Sequence, residues 1–75
     1  MDIGSLRSYS EDSNEYFRQG EKFQKEGNFS EAMISYLKAL IIEPGHFKAK
    51  DNLALMFYKQ NKYELALEVM ERISV

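Results

Sequence analysis

Residues 20–44 read GEKFQKEGNFSEAMISYLKALIIEP, and their pattern decides the fold. Phe23 lies on the apolar side of a helical pattern, and Gly27 supplies the residue that closes a helix in the left-handed conformation at little steric cost. Asn28, with Glu31 three residues later, has the form of a capping box that opens a second helix. Ala32, Met33, Ile34, Tyr36, Leu37, Ala39, Leu40, Ile41 and Ile42 then leave Glu31, Ser35 and Lys38 as the polar stripe. Pro44-Gly45 stops this helix, because proline restricts the residue before it and donates no hydrogen bond.

The same reading extends outward. Upstream, Asp12 or Ser13 caps a first helix, with Glu15 completing a box and Tyr16, Phe17, Gly20 and Phe23 following at helical spacing. Downstream, a third helix runs from about His46 to Gln60, with Phe47, Leu53, Ala54, Met56 and Phe57 as its apolar residues. Asn61-Lys62 makes a turn, and a fourth helix runs from Tyr63 toward the end. No segment alternates with period two over a strand's length, so the chain is expected to be all-α. Residues 1–12, with Gly4, Ser5, Ser8 and Ser10, read as a flexible N-terminal arm. The spacing of Ile3, Leu6 and Tyr9 leaves a short docked helix as the alternative.

Four helices of similar length invite a search for a period. A shift of 34 residues sets Gly20 on Ala54, Phe23 on Phe57, Phe29 on Tyr63, Ala32 on Ala66 and Tyr36 on Met70. The boxes Asn28/Glu31 and Asn61/Glu64 suggest 33 instead. The larger period is preferred, because the small residue between the helices and the aromatic near it constrain packing more than a cap does.

With this pattern the chain resembles the tetratricopeptide repeat (TPR) family, whose motif is W-x2-L-G-x2-Y, then a small residue, an aromatic and a proline. In residues 13–46, Tyr16, Gly20, Phe23, Ala32, Tyr36, Ala39 and Pro44 stand in those slots, and Gln19 departs from the usual leucine. Residues 47–75 match a second, incomplete repeat through Leu53, Ala54, Phe57, Tyr63 and Ala66, with Lys50 in the tryptophan slot and Ile73 where alanine is usual. The resemblance implies two antiparallel hairpins forming part of a right-handed α-α superhelix.

The resemblance also implies a concave groove, lined by the first helix of each hairpin, that holds a partner protein or peptide. The groove candidates are Asn14, Phe17, Arg18, Glu21 and Lys25 from the first repeat, and Lys48, Asp51, Asn52, Leu55 and Lys59 from the second. Asn52 and Arg18 have hydrogen-bonding groups for a peptide backbone or carboxylate, while Phe17 and Leu55 offer apolar contact. One TPR subfamily clamps the C-terminal carboxylate of heat-shock chaperones. Asn52 matches one of its asparagines, but Phe17 and Glu21 stand where that subfamily has lysine and asparagine, and an acid there repels a carboxylate.

Composition narrows the alternatives. The chain has 75 residues, a formal charge of −2, no cysteine and a single histidine, His46. Disulfides and thiolate metal sites are excluded, and no metal or other cofactor is expected. The mild acidity argues against nucleic acid, which selects clustered basic residues. No apolar run is long enough for a membrane span, and the N-terminus lacks a secretory pattern, so a cytoplasmic setting is expected. No catalytic residue is assigned. Glu11, Asp12 and Glu15 sit at a helix start, where acids offset the dipole. Glu64, Glu68 and Glu71 form a polar stripe, and His46 is read as a helix-start residue.

The last helix carries Leu65, Leu67, Val69, Met70 and Ile73 around much of its circumference. That width suits a helix with a further neighbour, as the second helix has. A longer repeat protein, self-association through these residues into a homo-oligomer, and coverage by the N-terminal arm are the three expectations it raises.

Overall fold

The computed structural model describes residues 9–72, and side-chain surroundings for 11–71. The described residues form four helices and no strands: α1 (Tyr9–Lys25), α2 (Phe29–Ile42), α3 (Phe47–Lys59) and α4 (Tyr63–Arg72). The all-α expectation holds. Helix α1 starts at Tyr9 and not at Ser13, so the arm expected over 1–12 is helical from its ninth residue. Residues 1–8, with Ile3 and Leu6, lie outside the described residues, as does Ile73.

Successive helices pack antiparallel. Along the first pair, Ser13 meets Glu43, Tyr16 meets Lys38, and Gly20 meets Tyr36, so residue numbers fall on α2 as they rise on α1. Between α2 and α3, Tyr36 meets Asn52 and Met33 meets Gln60 in the same sense. The shared core runs through all three later helices: Ala32, Tyr36, Ala39 and Leu40 from α2, Ala49, Leu53, Ala54 and Met56 from α3, and Ala66 and Val69 from α4. Tyr16, Phe17 and Phe23 of α1 pack against it.

Small residues set how closely the helices approach. A Cβ on Gly20 would lie 2.5 Å from Cε1 of Tyr36, so only glycine lets that ring lie against the α1 backbone. Tyr36 is wholly buried, and so are Ala32 and Ala39 on the same helix.

The two hairpin turns share one geometry. Gly27 has φ +81°, and the N–H of Asn28 bonds to the carbonyl of Phe23 at 2.9 Å. Thirty-four residues on, Asn61 has φ 63°, and the N–H of Lys62 bonds to the carbonyl of Phe57 at 2.9 Å. Both are helix ends closed by a left-handed residue, with the 6→1 bond that satisfies an orphan carbonyl. Asn61 therefore replaces Gly27, asparagine being among the few side chains that tolerate this region. The backbone repeats with period 34, and the competing period of 33 set Asn61 against the wrong residue.

Three local expectations are corrected. Asn28 is the N-cap of α2, but its side chain makes no capping bond. Asp12 and Ser13 lie inside α1, not at its start. Ser35 is buried rather than part of a polar stripe, because its hydroxyl is satisfied by the Glu31 carbonyl at 3.0 Å. The outward side of α2 instead shows Ile34, Leu37 and Ile41, the last 79% exposed.

Candidate functional site

Tyr36 organises the surface that the groove expectation points to. Its ring is buried, so its hydroxyl must find partners. It donates to Oε1 of Gln24 on α1 at 2.7 Å and accepts from Nδ2 of Asn52 on α3 at 3.3 Å. One hydroxyl from α2 thus orients two carboxamides on the helices either side of it. Burial disfavours the phenolate and raises the Tyr36 pKa, with a smaller opposing contribution from the Asn52 hydrogen bond and a further raising contribution from the Glu21 charge.

These groups floor an open hollow of about 370 Å³, lined by Glu21, Gln24, Lys25, Tyr36 and Asn52. With Oε1 of Gln24 and one N–H of Asn52 engaged, Nε2 of Gln24 remains a donor and Oδ1 of Asn52 an acceptor. A donor and an acceptor held side by side complement the carbonyl and N–H of an extended peptide. Glu21 and Lys25 place opposite charges one helical turn apart at the rim.

The expected groove residues do not all meet here. Glu21, Lys25 and Asn52 do. Phe17 is half-buried, with its ring centroid 5.8 Å from Tyr36 and 5.1 Å from His46, so it is mainly packing between α1, α2 and the start of α3. Asn14 is committed to His46, whose Nε2 lies 2.7 Å from its Oδ1. Arg18 and Lys48 are exposed. Asp51 and Leu55 line a second hollow, between α3 and α4, with Tyr58, Tyr63, Leu67 and Met70. Lys59 borders a third, with Phe29, Met33 and Met56.

The α4 residues divide as well. Leu67 and Met70 line the second hollow, and Leu65 is exposed away from it. Val69 is buried at 7% exposure, so the expectation that it offers a surface is corrected. Together with Ala66 it is the part of α4 turned toward the chain's own core.

Two buried polar groups act structurally. His46 caps α3: its Nδ1 accepts from the N–H of Ala49 at 3.2 Å, which leaves Nε2 as the donor to Asn14. Its reading as a helix-start residue agrees with this geometry. Ser13 is fully buried and donates to Oε1 of Glu43 at 2.6 Å, tying the N-terminal half of α1 to the C-cap of α2.

Gln24 and Tyr36 were missed as site residues. Tyr36 reads as core because its ring is core. The available signal was its hydroxyl, which a phenylalanine in that slot would not carry and which needs neighbours once buried. No helix among the described residues is long and apolar enough to cross a membrane. Comparison with family models, with curated proteins and with solved structures yields no match to this chain.

Proposed function

We propose that this chain is a non-catalytic, TPR-type protein-interaction module that holds an extended peptide segment in the hollow over Tyr36. The observation that carries the reading is the Gln24–Tyr36–Asn52 relay. It presents one donor and one acceptor at fixed spacing on a buried support, so little side-chain entropy is lost on binding. The charged pair Glu21 and Lys25 at the rim selects the flanking side chains of the peptide. The repeat slots around Gly20 and the period of 34 in the turns support the family reading. In this reading no cofactor takes part, and the setting is cytoplasmic.

The test is selection from a random peptide library, followed by titration of the selected peptides. Lys25→Glu changes an exposed residue and should weaken binding by about tenfold, roughly 1.4 kcal/mol. Asn52→Ala should weaken it by at least as much, while circular dichroism confirms an intact fold. Peptides that bind both variants as tightly as the parent would locate recognition elsewhere.

A further inference from the structure

The chain's repeat geometry shows what the α3–α4 hollow is. Under the shift of 34, its residues Ala54, Tyr58, Leu67 and Met70 are the counterparts of Gly20, Gln24, Met33 and Tyr36. Of these, Tyr36 meets Asn52 and Met33 meets Gln60 of α3's end, Gln24 shares a hollow with Met56 and Gln60, and Gly20 lies beneath them against the Tyr36 ring. The hollow is therefore a second seat of the kind that already holds a helix. Leu55, Tyr58, Tyr63 and Leu67 are each between 47% and 60% exposed there, and Asp51 is the one charged residue lining it among the described residues.

A head-to-tail neighbour would seat the outer face of α1 in this hollow. That face is wrong for it. The buried residues of α3 and its N-cap include His46, Ala49, Leu53 and Met56. Their counterparts on α1 are Asp12, Glu15, Gln19 and Lys22, of which the last three are exposed. Burying Asp12, Glu15 and Lys22 against Leu55 and Leu67 carries a desolvation cost, which Asp51 in the hollow can offset for Lys22 alone. The outer face of α1 is thus too polar to fill this hollow.

We propose that the hollow is occupied by the same hollow of a second copy, in a closed two-fold dimer. This uses a different face from the peptide site and does not depend on it. A two-fold axis beside Leu55 runs α3 antiparallel to its copy and sets Asp51 opposite the partner's Lys59, with the reciprocal pair on the other side. Both are exposed, and neither takes part in an ion pair among the described residues. The axis joins Leu55, Leu67 and the Tyr58–Tyr63 edge-on pair, whose centroids are 5.1 Å apart, into one apolar centre with charges outside it. Because the interface is isologous, association stops at two.

The experiment is sedimentation of the 75-residue chain across a concentration series, with single-cysteine crosslinking. A monomer–dimer equilibrium without higher species is expected. Leu67→Glu should raise the dissociation constant by about 100-fold or more, as removal of a central apolar contact does, with helicity unchanged. Asp51→Lys should weaken the dimer, and adding Lys59→Asp should restore it. The native chain has no cysteine, so Leu55→Cys should give a disulfide dimer on mild oxidation, faster than Gln19→Cys on the outer face of α1. Asn52→Ala should leave the dimer intact, which separates this result from the fate of the peptide site. A monomer at every concentration would assign the hollow to a different protein, and a ladder of oligomers would mean head-to-tail stacking. Failure of the charge swap, or equal crosslinking at positions 19 and 55, would remove the two-fold axis. Any of these overturns the proposal.

Discussion

Gly20→Ala is the substitution that most directly probes the packing of the first hairpin. The added methyl carbon would lie 2.5, 2.6 and 3.0 Å from Cε1, Cδ1 and Cζ of Tyr36. Ordinary carbon–carbon contact requires the ring or the helix to move by roughly 1 Å. The ring has little room to do so, because it has no exposed surface, lies against Phe17, and is held at its hydroxyl by Gln24 and Asn52. Overpacking of this kind costs about 1–3 kcal/mol. Alanine's better helix propensity returns about 1 kcal/mol at the same position. The net expectation is a loss of up to about 2 kcal/mol, which in a domain of this size lowers the melting temperature by up to roughly 15 °C. Thermal and urea unfolding followed by circular dichroism measure it. Gly45→Ala is the internal control, since a Cβ there meets no atom within 4 Å and the backbone is not left-handed; its effect should stay within about 0.5 kcal/mol. Tyr36→Leu, which removes the clashing ring edge, should absorb most of the cost of Gly20→Ala in a double-mutant cycle. A Gly20→Ala chain more stable than the parent by the full helix-propensity gain of about 1 kcal/mol, with no coupling to Tyr36→Leu, would refute the close approach of ring to backbone.

Other expectations follow from single groups. Gly27→Ala should cost about 1–2 kcal/mol through its left-handed φ alone, whereas Asn61→Gly at the equivalent turn should be neutral or stabilising; paired melting curves compare them. Ser13→Ala should cost about 1 kcal/mol in denaturant unfolding, by leaving the half-buried Glu43 carboxylate without its buried donor. Because the folded state raises the Tyr36 pKa above 10.0, the unfolded chain loses that proton first. Stability from this group is complete below pH 10 and falls as pH rises through the folded value. Unfolding curves at increasing alkaline pH should show a steeper loss for the parent than for Tyr36→Phe, and parallel curves would contradict the direction.

Helix number, helix type and the breaks near Gly27, Pro44 and Asn61 were legible in the sequence, because glycine, proline and asparagine act through the backbone dihedrals of their own and adjacent residues. The small residues at Gly20, Ala32, Ala54 and Ala66 were legible as contact points, because a missing side chain has one simple consequence between packed helices. The period was ambiguous between 33 and 34 because asparagine serves two roles. Only the backbone showed that Asn61 ends a helix while Asn28 begins one.

What a side chain does once buried was decided by the tertiary structure. Ser13 and Ser35 look like polar surface residues, yet each is buried because a particular acceptor lies in reach, Glu43 for one and the Glu31 carbonyl for the other. Tyr36 reads as an apolar filler, and its role as the support of Gln24 and Asn52 exists only where three helices meet. Val69 and Leu67 are both apolar residues of α4, and helix packing alone turned one into the core and the other outward. Periodicity along a chain reports which residues share a face. Which face meets which neighbour, and which polar atoms that brings within hydrogen-bond distance, depends on contacts between residues far apart in sequence.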